Sequence, residues 1–300
     1  MGKRSAFRNV VEAGIARLLV GSLELSPKPL AERLGLAYAR LLDRAIPRLR
    51  RIAERNLTLA WPDRDAVWRR QTIDGVFESI GRLLIGFAQF PEITKANVDD
   101  WIGYEGLEHY QCAKARGKGV LFATAHLGNW ELSAYAHALL TEPMNVVVRP
   151  LDNPLMDKIV EKRRALSGNK LLSKRDFARS IFQALRANEP VGILVDQNSS
   201  AENGAFVPFF GIPACANLTF ARLAARSGAA VIPGFAIWNR INRRYVLKFY
   251  AEIEMTGDAV EDTRRIQSAI EAAIREAPDQ WLWIHRRWKT RPEGESSLYD

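Results

Sequence analysis

The fold class follows from one stretch of sequence, Gly119-Val-Leu-Phe-Ala-Thr-Ala-His126-Leu-Gly-Asn-Trp-Glu131. Its first half is a short apolar run typical of a buried strand, and an amphipathic helical segment follows over 130–140. A strand that leads directly into a helix predicts one unit of a parallel α/β sheet. His126 stands just past the end of this strand, where open α/β sheets collect their ligands.

The same alternation of strands and helices continues towards the C-terminus. The predicted strands are 144–148, 191–195, 230–237 and 245–250, and the predicted helices are 153–166, one ending at 187, 218–226 and 263–277. Segment 245–250 alternates as an edge strand would, and Ser173-Lys-Arg-Asp176 resembles a capping box. The sequence therefore predicts an α/β fold with a partly parallel central sheet flanked by helices.

Positive charge is concentrated at the N-terminus. The net charge is +9, and residues 1–55 contain twelve Lys or Arg against five acids. Apolar residues recur at helical spacing over 10–25 and 30–46, but charges interrupt both runs, which fall short of the ~20 apolar residues of a spanning helix. Basic amphipathic helices of this kind can lie on an anionic membrane surface, and packing on the protein's own domain is the alternative. We predict a helical, basic, amphipathic extension over 1–60 and a separate domain over 61–300.

The composition excludes several classes of protein. With 47% hydrophobic and 26% charged residues, the chain is globular. Cys112 and Cys215 are far apart and in no metal-ligand or redox spacing, which fits a reducing compartment. No signal-peptide pattern follows the N-terminal charges. The sequence contains no zinc-finger, helix-turn-helix or RNA-binding signature, so we do not expect a nucleic-acid partner.

His126 and Glu131 are the first candidates for chemistry. They are five positions apart, so a continuous helix would point their side chains in different directions. Gly128 and Asn129 tolerate unusual backbone angles, and a turn there could bring the Glu131 carboxylate to Nδ1 of His126. The imidazole would then act as a general base through Nε2. A hydrogen-bonded histidine without catalytic function is the alternative.

The sequence contains neither a Gly-x-Ser-x-Gly elbow nor a His-Glu-x-x-His zinc motif. A base without its own nucleophile favours direct attack by a hydroxyl group or by water. His109 lies in a predicted surface helix, and His137 has no acidic partner at i±4, so both are interpreted as structural.

Several segments together resemble one family. The stretch from Gly119 to Leu132 resembles motif I of the late acyltransferases of lipid A biosynthesis, in the lysophospholipid acyltransferase superfamily, whose signature is His-x4-Asp or His-x4-Glu. The further matching segments, in chain order, are Arg55-Asn-Leu-Thr-Leu-Ala-Trp-Pro62, Val147-Val-Arg-Pro150, Gly192-Ile-Leu-Val-Asp-Gln197, Val207-Pro-Phe-Phe-Gly-Ile-Pro213 and Trp281-Leu-Trp-Ile-His-Arg-Arg-Trp-Lys-Thr-Arg-Pro292. The resemblance covers nearly the whole chain.

The resemblance implies roles for individual residues. His126 would be the base, Glu131 its partner, and Arg149 a contributor to the environment of the oxyanion or acyl carbonyl. The expected substrate-binding residues are Asn129, Asp196, Gln197, Arg286, Arg287 and Lys289. From the residues alone, an ion pair of Arg149 with Asp152 or Asp157, a capping role for Asp196 and a solvated C-terminal tail stay open as alternatives.

The resemblance also implies substrates and location. The donor would be an acyl chain on acyl carrier protein, and the acceptor a hydroxyl of a glycolipid, the lipid A precursor. The reaction requires no metal and no cofactor, and the family works at the cytoplasmic face of the inner membrane. The basic extension favours a surface-bound enzyme over a spanning one. Two other functions remain open: transfer to another acceptor (a glycerophospholipid, a mannosylated phosphoinositide or an amino-lipid) and lipid binding without catalysis.

Overall fold

A computed structural model describes residues 5–173 and 177–299, apart from the side chain of Ser173. The proposed capping box therefore falls largely outside the described residues. Helices dominate the first part of the chain, as predicted. They are α1 (Ala6–Glu24), α2 (Lys28–Ala45), α3 (Pro47–Ala60) and α4 (Ala66–Ala88). Asp65 caps the start of α4, since its side chain accepts a hydrogen bond from the backbone N–H of Trp68, and the helix ends before Pro91.

A seven-stranded sheet forms the centre of the protein within the described residues. Its strands, in chain order, are β1 (Ile102–Glu105), β2 (Val120–Thr124), β3 (Asn145–Val148), β4 (Lys170–Ser173), β5 (Pro190–Leu194), β8 (Ala230–Asn239) and β9 (Arg244–Phe249). The spatial order is β1-β9-β8-β2-β5-β3-β4, and only the β8–β9 pair is antiparallel. A separate antiparallel hairpin consists of β6 (Gly204–Phe209) and β7 (Ile212–Asn217). The predicted α/β fold with a partly parallel sheet is confirmed.

Helices cover both faces of the sheet. They are α5 (Leu107–Ala115), α6 (Trp130–Leu140), α7 (Pro154–Arg164), α8 (Phe177–Arg186), α9 (Thr219–Ser227) and α10 (Ala259–Glu276). Alternate residues of β2 enter the two cores. Leu121 packs with residues of α8, α9 and α10, whereas Phe122 packs with residues of α5 and α6. Both faces of β2 are therefore buried, which explains its continuous apolar sequence.

The position of the 245–250 strand differs from the prediction. Strand β9 pairs with β8 on one side and with β1 on the other, so it is not at the edge. The two edge strands of the described sheet are β1 and β4, neither of which was predicted. The reason is physical: alternation reports which side chains of a strand are buried, and it carries no information on how many neighbours the strand has.

The N-terminal helices pack on α4 through glycine. A Cβ atom at Gly81 would lie 2.9 Å from the backbone oxygen of Gly35, so α2 and α4 approach at backbone distance. The other side of α1 is apolar and exposed, with the side chains of Phe7, Ile15 and Leu18 more than half accessible. No helix in the described part of the chain combines the length and the hydropathy needed to cross a bilayer. The division at residue 60 stays a prediction.

Candidate active site

The loop between β2 and α6 carries His126. Asn129 caps α6, since its Oδ1 accepts a hydrogen bond from the backbone N–H of Leu132 at 3.0 Å. Gly128 has φ +64°, and a Cβ atom there would lie 1.9 Å from the carbonyl oxygen of Ala236. Only glycine fits this close approach to β8. The loop therefore owes its path to the Gly-Asn pair of the motif.

The C-terminal segment fixes the same loop from the other side. The backbone N–H of Gly128 donates to the carbonyl of Gln280 at 2.9 Å, and that of Leu282 donates to the carbonyl of His126 at 3.0 Å. These bonds hold the backbone of His126 between two distant parts of the chain.

The carboxylate bound to His126 is Asp196, and the predicted contact with Glu131 is wrong. Nδ1 of His126 lies 2.9 Å from Oδ1 of Asp196, and the backbone N–H of His126 donates to Oδ2 at 2.9 Å. The β2–β5 register explains this pairing. Thr124 lies beside Leu194, so residues 126 and 196, two positions further on, also lie side by side.

Glu131 instead binds a cation that the sequence reasoning missed. Its carboxylate accepts hydrogen bonds from Nε of Arg164 at 2.8 Å and from Nη2 at 2.5 Å. Glu131 belongs to the first turn of α6, and this turn faces the end of α7. No sequence spacing links the two residues, because Arg164 reads as one of several basic residues at the end of an amphipathic helix.

The carboxylate of Asp196 is buried away from solvent. It is 1% exposed, and its Oδ2 also accepts a hydrogen bond from the indole N–H of Trp281 at 2.8 Å. Burial raises the pKa of the Asp196 carboxyl, but His126 and the hydrogen bonds outweigh burial and lower the pKa to about 2. For His126, burial lowers the pKa, whereas the carboxylate raises it, and the net pKa lies above its ordinary value. With a proton on Nδ1 held by Asp196, Nε2 is the acceptor of the neutral imidazole.

A cavity of about 420 Å³ begins at His126 and runs between the sheet and α6. Most of its wall is apolar, formed by Phe90, Phe122, Tyr135, Met144, Val146, Leu247 and Phe249. Pairing between β3 and β5 ends at Val146 and Gly192, whereas β2–β5 pairing continues to Leu194. Since residues of both strands beyond that point line the cavity, the separation of the strands contributes to its opening.

The predicted polar residues lie at different depths of this site. Gln197 places its amide nitrogen 3.4 Å from Nε2 of His126. Arg149 lines the cavity, but its side chain is 77% exposed, and its ion pair with Asp152 is long at 3.8 Å. Asn129 is fully buried as the helix cap, so it shapes the loop instead of facing substrate.

The basic residues of the C-terminal segment do not form one surface. Arg287 is fully buried and donates to the carbonyl of Cys215 at 2.8 Å and to Oε1 of Gln267 at 3.0 Å. Burial lowers the pKa of Arg287 to about 10. The prediction that Arg287 binds substrate is therefore wrong; its hydrogen bonds hold the core together. Arg286 packs over the ring of Tyr299 and Lys289 is exposed, so their substrate role stays a prediction.

Comparison with known proteins decides the family. Residues 5–290 match the family model described as bacterial lipid A biosynthesis acyltransferase. The chain belongs to this family. It is 33% identical to the lipid A biosynthesis palmitoleoyltransferase of Escherichia coli (strain K12), over 91% of this chain and 89% of that protein. It is 32% identical to the lipid A biosynthesis lauroyltransferase of the same organism, over 91% and 90%. The resemblance found in the motifs is confirmed, and the chain is an acyltransferase.

The two carboxylates can be separated by titrating His126. In Asp196→Asn the burial of His126 remains but the compensating charge is lost, so its pKa should fall below 6.5, its ordinary value. Glu131→Gln should lower the pKa less, because Glu131 raises it through its charge alone, whereas Asp196 acts through its charge and a hydrogen bond. NMR titration of the imidazole measures both. Asp262→Asn, at a buried aspartate that binds the backbone of Gly257, is the control and should leave the His126 pKa unchanged. A larger fall in Glu131→Gln than in Asp196→Asn would restore Glu131 as the direct partner.

Proposed function

We propose that this chain transfers a fatty acyl group from acyl carrier protein to a hydroxyl group of a lipid A precursor. One observation carries the proposal: His126 is bound to Asp196 through Nδ1 and lies at an apolar cavity. Relatives named as palmitoleoyltransferase and lauroyltransferase of lipid A biosynthesis support a fatty acyl group and this acceptor.

His126 is the general base in this reaction. Its Nε2 takes the proton of the acceptor hydroxyl as the oxygen attacks the thioester carbonyl. The tetrahedral intermediate then collapses, the carbon–sulfur bond breaks, and the imidazolium returns the proton to the departing thiolate. The products are an ester and the free thiol of the carrier. Asp196 holds the tautomer and stabilises the imidazolium that forms, which is the role the sequence pattern suggested for Glu131.

Two arginines are candidates for stabilising the oxyanion. Arg164 is held at the cavity by Glu131 and lies close enough to His126 to oppose its protonation. A guanidinium fixed in this way is a preorganised charge. Arg149 is exposed at the cavity and has to move inward to reach a carbonyl near His126. We assign the preorganised positive charge at the oxyanion to Arg164. Arg149 moves towards the carbonyl when the acyl donor is bound.

The apolar cavity accommodates the acyl chain. Its volume of about 420 Å³ lies in the range of small-ligand sites, roughly 300–1,000 Å³. Met144 precedes β3, which runs parallel to β2, so it lines the end of the cavity away from His126. Glycine at 192 leaves room for it, since a Cβ atom there would lie 2.6 Å from Cε of Met144. Met144 therefore limits the depth available to the chain.

Shortening this side chain tests the assignment. Met144→Ala should shift selectivity towards a chain two carbons longer by roughly tenfold, because each buried methylene contributes about 0.8 kcal/mol. Competition between acyl carrier proteins loaded with different chains measures the ratio. Met156→Ala on α7, outside the cavity lining, is the matched control and should keep the wild-type selectivity. Unchanged selectivity in Met144→Ala would place the chain elsewhere.

The exposed apolar stripe of α1, formed by Phe7, Val11, Ile15 and Leu18, supports attachment to a membrane surface. A stripe on one side of a helix, together with the basic excess of the first 55 residues, suits the interface of an anionic bilayer. We assign the enzyme to the cytoplasmic face of the inner membrane, where acyl carrier protein can reach it. The carrier is acidic, and the basic surface would steer it to the site.

Vesicle binding tests the stripe. Leu18→Glu removes an apolar side chain that is 75% exposed and adds a carboxylate that is costly to bury in the hydrocarbon layer of the bilayer. We therefore expect binding to anionic vesicles to fall by at least about tenfold. Val67→Glu provides the control, because Val67 is exposed to a similar degree, 63%, at the start of α4. Equal loss in both variants would contradict a specific role of α1.

Removing the base tests the reaction. We expect His126→Ala to reduce transfer from labelled acyl carrier protein by about 10²–10⁴, the usual contribution of a general base. His109→Ala on α5, which does not line the cavity, should transfer at the wild-type rate. Near wild-type transfer by a folded His126→Ala protein would exclude His126 as the base.

Analysis of cellular lipids by mass spectrometry identifies the acceptor. A strain that lacks the gene should lose one acyl chain from lipid A in the mass spectrum, and the wild-type gene, but not His126→Ala, should restore it. Intact lipid A in that strain would indicate another acceptor. Absence of transfer from every acyl thioester would indicate a lipid-binding protein.

A further inference from the structure

A second cavity, of about 340 Å³, lies at the same end of the strands as His126 but shares no lining residue with the first. Its walls come from α2, α4, the segment before β1 and the end of the β8–β9 hairpin. The residues that matter here are Lys28, Arg82, Trp101, Trp238, Arg243 and Tyr245. The proposed acyl transfer does not use any of them.

The walls combine flat aromatic rings with cations. The ammonium of Lys28 lies 4.6 Å from the ring centre of Trp101, and the guanidinium of Arg82 lies 5.2 Å from that of Trp238. Tryptophan beside Lys or Arg is characteristic of sites at the membrane–water interface, where a ring contacts apolar groups and a cation meets phosphate.

The balance of charge in this cavity is positive. Four cationic and two carboxylate side chains line it. Arg243 is paired with Glu32 at 2.7 Å and Arg82 with Glu78 at 2.9 Å. Arg240 is paired with Asp279. Among the described residues, the ammonium of Lys28 has no ion pair and lies over the ring of Trp101, and the carboxylate of Asp100 also has no ion pair. Lys28 is therefore the cation of this cavity that can pair with an anion.

Tyr245 adds a donor without an acceptor. Its side chain is 3% exposed, and its hydroxyl makes no hydrogen bond of normal geometry within the described residues. The Arg82 guanidinium and the Asn129 amide lie close enough to act on this hydroxyl, and both offer it donors, because Oδ1 of Asn129 already accepts the hydrogen bond from Leu132. Leaving such a hydroxyl unsatisfied costs about 1–3 kcal/mol, and an anionic oxygen would relieve that cost.

The surroundings indicate where the anion comes from. Leu25 and Leu30, next to Lys28 in sequence, are 87% and 47% exposed. Ile241, between Arg240 and Arg243 of the β8–β9 hairpin, is 92% exposed. Apolar side chains that project beside a positive cavity fit a lipid surface better than open water.

We propose that this cavity binds the phosphate group of an anionic membrane lipid. The phosphate oxygens accept hydrogen bonds from the Tyr245 hydroxyl and the Lys28 ammonium, and the two indoles contact the rest of the headgroup. Bound in this way, the lipid holds α2 and the β8–β9 hairpin on one surface. The site is independent of the acyl-transfer step, so its test needs no turnover.

The test uses the full chain and phosphatidylcholine vesicles with or without phosphatidylglycerol. The variant Lys28→Ala/Tyr245→Phe removes the free cation and the unsatisfied hydroxyl but keeps the aromatic ring. We expect its affinity for the anionic vesicles to fall roughly tenfold or more. Lys118→Ala is the matched control, because Lys118 is exposed at the opposite end of β2. It should bind the vesicles within about twofold of wild type, since it removes only one surface charge.

Thermal unfolding separates the site from a defect in folding. Tyr245→Phe alone should be as stable as wild type or more stable without lipid, since it deletes an unsatisfied hydroxyl, and should still bind anionic vesicles more weakly. His126→Ala should bind them like wild type, which keeps this test apart from that of the acyl transfer. Equal losses in the double variant and in Lys118→Ala would overturn the proposal. Saturable binding of inorganic phosphate without any preference for the anionic vesicles would overturn the lipid as the source.

Discussion

The Asp196 carboxylate is almost fully buried, and three donors meet it: the imidazole and the backbone N–H of His126, and the indole of Trp281. A buried charge is tolerated only when its hydrogen bonds are made, and removing one partner of such a pair typically costs about 3–5 kcal/mol. This requirement constrains the surrounding chain. The loop after β2, the end of β5 and the C-terminal segment must all arrive at one point, or the charge is left unpaired.

The C-terminal segment supports this arrangement at several levels. Its backbone pairs with the loop that carries His126, and His285 accepts a hydrogen bond from the backbone N–H of Asn198 at 3.0 Å. Burial lowers the pKa of His285 to about 4, so it stays neutral and can accept this bond at physiological pH. Thr290 makes hydrogen bonds with Asn198 and Ser199 in the loop that follows β5. The basic and aromatic C-terminal signature is therefore, in large part, a brace for the residues that follow β5.

The sequence predicted what local patterns determine. The strand, loop and helix around His126 were readable because apolar runs, a Gly-Asn pair and an amphipathic segment each have a local cause. The partner of His126 was not readable in this way, because Asp196 reaches it through the pairing of two strands seventy residues apart. The same limit applies to Arg164, whose contact with Glu131 depends on how two helices meet. The predicted substrate-binding role of Arg287 failed for a different reason. An arginine in a run of basic residues resembles a surface residue, and only its hydrogen-bond partners in the core show that it is buried.

Helix α4 lies between the N-terminal helices and the loop that carries His126, and at two glycines its backbone closely approaches a neighbour. Gly81 meets the backbone of Gly35 on α2, and a Cβ atom at Gly86 would lie 2.8 Å from the side-chain nitrogen of Asn129. Side chains can change rotamer and absorb a displacement, whereas backbones in contact cannot. At these two points the distance between α2 and the cap of α6 is set by the thickness of one polypeptide helix, so a displacement of the N-terminal helices is passed on to the loop that carries His126.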